Sequence, residues 1–160
     1  MNVQELAPGT GLGISGYRNY HGGYFKTLVS PGESNGELAV LDMVLPRGAE
    51  PPPHVHEKED ETFYLLEGKL EFIIDGICYT LEAGETLFAP RKKPHYFRIQ
   101  SDTARILTIM TPGDFWYYFM EFSEACDGQP RITAPVPPTP DQVAYMAERL
   151  SERYRLSFVN

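Results

Sequence analysis

Cysteine, basic side chains and long apolar runs are all scarce in this chain, and each shortage removes a class of protein. Two cysteines, Cys78 and Cys126, in 160 residues cannot build the disulfide framework of a small secreted domain. Cys78 falls inside a strand-like run and reads as a small buried residue. Lysine and arginine number 14 against 22 acidic residues, for a net charge of −8 and a pI near 5.0. With no basic patch to neutralise phosphates, nucleic acid is not an expected partner. The one basic run, Arg91-Lys92-Lys93, reads as a solvated turn. No apolar stretch approaches the ~20 residues of a membrane span. The first residues offer neither the basic start nor the apolar core of an export signal, so a cytoplasmic protein is expected. What is left, 42% apolar and 22% charged residues, suits a soluble globular protein of one domain with a real core.

Histidine is also rare, and its placement carries the argument. Of four histidines, His54 and His56 are two apart. On an extended strand both imidazoles leave the same face. Pro51-Pro52-Pro53 delivers them from a stiff, extended approach that cannot donate backbone hydrogen bonds. Glu61 opens the next apolar run, and His95 opens a later one, after Pro90 and Pro94. Three imidazoles and a carboxylate from separate strands suit one borderline divalent metal: Ni, Fe, Mn, Co, Cu or Zn. The plainer account is four polar residues near strand ends, but three of the four histidines fall at ligand spacing. His21 lies outside the pattern and reads as a surface or turn residue.

Around these positions the chain reads as many short strands. Tyr24–Val29 is a candidate first strand. Glu37–Leu45 alternates, with Leu38, Val40 and Val44 on one face, and Pro46 ends it. Thr62–Leu66, Leu70–Ile74, Ile77–Leu81, Thr86–Ala89, His95–Ile99 and Ala104–Met110 follow. Asp75-Gly76 between two of them signals a two-residue hairpin. Short strands at regular spacing, with Gly and Pro between, predict an all-β sandwich or barrel. Period-two alternation places Phe63 and Leu65 on the face of Glu61, and Phe97 and Ile99 on the face of His95. Those residues would keep the site dry, and burial of that kind raises the pKa of a carboxylate such as Glu61. Beyond the strands, Asp114 is a candidate cap for a helix that brings Phe115, Phe119 and Phe122 to one side. That helix either plugs the barrel end or lids the metal cavity. Residues 134–140 read as a proline-rich linker. Thr139-Pro140-Asp141-Gln142 then forms a capping box for a last helix with the stripe Val143, Met146, Ala147 and Leu150. The stripe needs a partner, either the barrel's outer face or a second subunit.

Gly48, His54-x-His56, Glu61 and Gly68, with five, four and six residues between them, resemble the first motif of the cupin superfamily. Gly84, Pro90 and His95 resemble the second; Lys92 stands where a glycine is usual and Ile99 where an asparagine is usual. The 15 residues from Lys69 to Ala83 are similar to the short spacing of microbial single-domain members. The resemblance implies a double-stranded β-helix (jelly-roll) barrel over residues 36–112, an N-terminal arm over 1–35 and C-terminal helices over 113–160, all in one domain. It also implies a homodimer. Within the superfamily the run from His54 to Tyr64 is most similar to the quercetinase-like members. This implies a dioxygenase cleaving a flavonol-like or other enolic aromatic, with dioxygen as co-substrate. His54, His56, Glu61 and His95 would then be metal ligands, with Glu61 also taking the substrate's proton. Phe63, Phe97, Phe115, Trp116 and Phe119 would contact the flat substrate. A non-redox cyclase or isomerase and a non-catalytic binder of small molecules stay open beside it.

Overall fold

Alternating side chains form two antiparallel sheets that close on one core. The computed structural model describes residues 16–159; the expected arm before Gly16 lies outside them. The strands are β1 (Tyr17–Tyr20), β2 (Gly23–Val29), β3 (Ala39–Pro46), β4 (His54–His56), β5 (Asp60–Glu67) and β6 (Lys69–Ile74). They continue as β7 (Ile77–Glu82), β8 (Thr86–Ala89), β9 (His95–Ile99), β10 (Thr103–Thr111), β11 (Glu124–Ala125) and β12 (Leu156–Phe158). One sheet has seven strands in the order β11-β1-β2-β3-β10-β5-β8. The other has five, β12-β4-β9-β6-β7. This is an all-β jelly-roll barrel with two short helices towards the C-terminus.

The sheets face each other through side chains two residues apart. Phe63 and Leu65 from β5, Leu70 and Phe72 from β6, Phe97 and Ile99 from β9 and Ile106 from β10 are all buried. Phe63, Phe72 and Phe97 form a tilted aromatic cluster with centroids 4.7 to 6.4 Å apart. Leu38, Val40 and Val44 were expected on one face, and they share one. It is Ala39, Leu41, Met43 and Leu45, on the opposite face of β3, that enter the core. Both faces of β3 carry apolar residues, so alternation alone could not choose between them.

Local signals hold where the geometry is local. Asp75 and Gly76 join β6 to β7 with φ of 51° and 80°, the paired positive values of a two-residue hairpin turn. Thr139 accepts from the Gln142 backbone while the Gln142 side chain accepts from the Thr139 backbone. Pro140 then opens α2 (Pro140–Glu152).

Other expectations are corrected. Cys78 is exposed, because β7 is a sheet-edge strand on which only Leu81 reaches the core. Asp114 does not cap a helix. Pro112 precedes a 3₁₀ turn, Gly113–Phe115, that contains Asp114, and α1 (Trp116–Glu121) is a short continuation of that turn. The stripe of α2 turns towards the cavity and the core, not the outer face of the barrel. Leu150 is buried and Met146 packs on the barrel core, while Val143 is 49% exposed at the cavity mouth. A charged knot fixes α2 there. The Glu121 carboxylate on α1 accepts from Arg149 Nε at 2.6 Å and Nη2 at 3.0 Å, and from the hydroxyls of Tyr145 at 3.0 Å and Tyr154 at 2.5 Å. The chain then returns as β12 and pairs with β4.

Lys92, at the motif position where a glycine is usual, adopts φ of 64°, and its N–H donates to the carbonyl of His56 at 2.7 Å. The turn therefore keeps a glycine-type backbone around a lysine. Left-handed backbone costs a non-glycine residue roughly 1–2 kcal/mol. Glycine's greater freedom in the unfolded chain costs about 0.4–1 kcal/mol. The first effect wins, so Lys92→Gly is expected to raise stability by roughly 0.5–1 kcal/mol, read as a higher denaturant midpoint at unchanged slope.

Candidate metal centre

The three imidazoles come from one sheet and the carboxylate from the other. β4 is only three residues long, held between β12 and β9, with His56 opposite Leu156 and His54 opposite His95. Glu61, on β5, pairs with Met110 and Ala89 in the facing sheet. All four side chains are buried, and they offer ligand atoms within 4.8 Å of one another.

The hydrogen bonds fix which nitrogen of each ring faces inward. His54 Nδ1 lies 2.8 Å from the Pro52 carbonyl and His95 Nδ1 lies 3.1 Å from the Lys93 carbonyl. A carbonyl only accepts, so each Nδ1 carries the hydrogen and each Nε2 presents its lone pair. His95 Nε2 stands 3.0 Å from Glu61 Oε2, and His56 Nε2 stands 3.3 Å from the same oxygen. Acceptors crowded this closely need a proton or a cation between them. Neither ring nitrogen of His56 has a hydrogen-bond partner, which is costly for a buried polar group. Donors about 2.1 Å from one ion lie at most ~4.2 Å apart, so small side-chain shifts close this set around one divalent cation. The residues fit a metal.

Charge follows from the same packing. Burial, with the neighbouring His56 and His95, holds the His54 pKa down to about 3. His56 is also opposed by burial, yet the charges of Glu61 and Glu59 outweigh it and carry the ring up to about 9. Glu61 corrects an expectation: burial does push its pKa up, but His56 and His95 pull it well below the usual carboxylate value. Burial alone was the wrong guide, because two imidazoles share its oxygen.

Above the four residues opens a cavity of about 450 Å³. Phe63, Phe97, Phe115 and Phe119 line it, as does Met43. The Phe115 ring meets His56 edge-on at 4.5 Å. The helix region thus both plugs the barrel and walls the cavity. Trp116 is placed elsewhere: it is buried against β2, its Nε1 donating to Thr27 Oγ1 at 3.0 Å, because it points away from Phe115 around the short helix. Several contributors were missed by sequence reasoning. Pro135–Pro138 and Phe158 form part of the cavity wall, so the proline-rich stretch is more than a linker. Tyr20 and Tyr118 bring hydroxyls 3.4 Å apart beside it, and burial, then their mutual proximity, raises the Tyr20 pKa well above normal. His21 is in a turn as expected, with φ of 47°, but also lines the cavity. Glu59 is buried beside His56, which nothing in the run Glu57-Lys58-Glu59-Asp60 marked out.

Comparison with known proteins agrees with this geometry. A model described as a cupin domain matches residues 41–112. Quercetin 2,3-dioxygenase of Bacillus subtilis (strain 168) is 31% identical over 95 residues, 59% of this chain but 28% of that protein. Polyketide synthase CurC of Streptomyces cyaneus is 29% identical over 114 residues, 70% of this chain and 68% of that one. Among solved structures, a predicted oxalate decarboxylase from Thermotoga maritima superposes with a TM-score of 0.54 at 24% identity, over 61% of this chain and 92% of that one. The chain therefore spans under a third of the Bacillus relative's length, and the solved structure speaks for the fold alone. Among the described residues no helix is long and apolar enough to cross a membrane.

The pKa shifts give the metal-free protein a stability optimum. Between pH 6.5 and about 3, unfolded His54 takes a proton that the folded chain refuses, so stability falls on acidification. Below about 4.5 the ionised Glu61 adds to that loss. Between 6.5 and about 9, folded His56 keeps a proton that the unfolded chain has released, so stability falls again as pH rises. Thermal unfolding of chelator-treated protein is expected to peak near pH 6.5. A melting temperature that climbs steadily from pH 6 to 9 contradicts this.

Proposed function

From the cupin-domain match over residues 41–112 and the jelly-roll fold we propose that this chain is a cupin and a metal-dependent dioxygenase acting on a flavonol-like or other enolic aromatic substrate. The observation that carries the reading is the position of the four-residue cluster on the wall of a largely apolar, aromatic-lined cavity. A cavity of about 450 Å³ lies within the usual range for small-molecule sites. The similarity to a quercetin dioxygenase supports the same choice.

His54, His56, His95 and Glu61 would hold the metal, which when bound supplies a positive centre for an enolate oxygen and a redox route to dioxygen. The chain's own residues do the rest. Phe63, Phe97, Phe115 and Phe119 present ring faces and edges to a flat substrate and exclude water. Glu61, ionised by its imidazole neighbours, accepts the proton of the enolic hydroxyl, and general-base help of this kind is worth about 10²–10⁴ in rate. The hydroxyls of Tyr20 and Tyr118 give the mostly apolar wall a polar contact for a substrate substituent. Pro135–Pro138 and α2 close the mouth over the bound molecule.

A non-redox reading, a metal-dependent cyclase or isomerase, draws on the same four residues and the same cavity. There the metal acts only as a Lewis acid and Glu61 relays a proton.

Oxygen separates the two. Protein loaded in turn with Ni, Fe, Mn, Co, Cu and Zn is incubated with flavonols in air and under argon, and the substrate's absorbance is followed. Loss of absorbance only in air is expected with the redox-active metals, and not with zinc. Turnover that is indifferent to oxygen and supported by zinc favours the cyclase or isomerase. In the oxygen-dependent case Glu61→Gln is expected to lower kcat at least about 100-fold, while quenching of the protein's tyrosine and tryptophan fluorescence by substrate persists.

A further inference from the structure

The centre has a fifth polar member that the ligand set does not use. Glu59 lies in the turn between β4 and β5, and its side chain is only 2% exposed. Its Oε2 has no hydrogen-bond partner and stands 3.4 Å from Nδ1 of His56. A carboxylate is rarely hidden like this without a reason. The three imidazoles also differ in what backs them. His54 and His95 give Nδ1–H to neutral backbone carbonyls, those of Pro52 and Lys93. Behind His56, and His56 alone, is a charged group.

We propose that Glu59 is a positioning residue of the metal centre, accepting a hydrogen bond from Nδ1–H of His56 and supplying the second negative charge that a buried dication requires. The inference rests on the metal-centre reading of His54, His56, Glu61 and His95, but not on any choice of substrate. Two physical arguments support it. A proton fixed on Nδ1 leaves the Nε2 lone pair facing Glu61 and the other two rings, so the ring is set in the ligating tautomer. A carboxylate behind an imidazole also raises its strength as a donor, and losing such a partner typically costs 10–100-fold in metal affinity. Charge gives the second argument. Three neutral imidazoles and Glu61 leave a bound dication with one positive charge uncompensated in a dry cavity. Glu59 cancels it, which tunes the site to doubly charged ions and to a substrate that arrives neutral.

The test is Zn²⁺ and Co²⁺ affinity, measured by chelator competition, in the full chain and in Glu59→Gln and Glu59→Ala. Glu59→Gln keeps the shape and an acceptor oxygen but removes the charge. The d–d absorption of the Co²⁺ form and the melting temperature of the metal-free protein are recorded alongside. We expect affinity to fall 10–100-fold in Glu59→Ala and at least fivefold in Glu59→Gln, with a shifted Co²⁺ spectrum. Affinities within fivefold of the original in Glu59→Gln overturn the proposal, whatever the stability does, because a purely structural side chain moves only the melting temperature. Should Glu59→Ala fail to fold, the isosteric Glu59→Gln decides alone. Original protein that takes up neither ion overturns the metal reading itself. Tight binding by the original with unchanged variants overturns only the role of Glu59.

Discussion

Four buried polar groups crowded onto one point are the constraint around which this molecule is arranged. His56 Nε2 and His95 Nε2 converge on a single oxygen of Glu61 at 3.3 and 3.0 Å, in a place where water cannot intervene freely. Two of the rings are held from behind by backbone carbonyls and Glu61 by its strand in the opposite sheet, while His56 stands 3.4 Å from Glu59. A short rigid strand preceded by three prolines leaves His54 and His56 little freedom to relax. Stored polarity of this kind, with its supports already in place, is what a ligand site looks like when the scaffold and not the ion dictates the geometry.

The barrel around the centre divides labour between its sheets. The five-stranded sheet carries all three imidazoles on neighbouring strands, β4 and β9, and the seven-stranded sheet carries the acid. Any change in the separation of the sheets therefore alters the distance from the carboxylate to the rings. The packed aromatics Phe63, Phe72 and Phe97 lie between the sheets and set that separation. Core packing and site geometry are in this sense one property. Phe63 and Phe97 belong both to that packing and to the wall of the cavity.

What could be read from the sequence was what depends on neighbours in the chain. His54-x-His56 on an extended strand, Asp75-Gly76 in a hairpin and the Thr139 capping box are local, and each holds in the structure. The superfamily motifs added the long-range part, tying Glu61 and His95 to the same place. Other features had no such signal. The exposure of Cys78 depends on β7 lying at a sheet edge, and the placement of Trp116 depends on which side of a six-residue helix meets β2. The proline-rich stretch became a cavity wall because α2 and β12 pull it across the mouth. Glu59 looked like one more charge in a solvated run, since only the folded turn sets it behind His56. The low pKa of Glu61 followed from two imidazoles at one oxygen, a coincidence of three strands.

The pairing of β4 has a kinetic consequence. His54 is bonded on one side to a strand that begins at His95 and on the other to residues around Phe158, so both flanks of the ligand strand close loops of tens of residues or more. Such contacts form slowly, after hairpins like that of β6 and β7 have zipped up. The ligands come together late in folding, and the ion is then a guest of the finished barrel and not the seed around which it condenses.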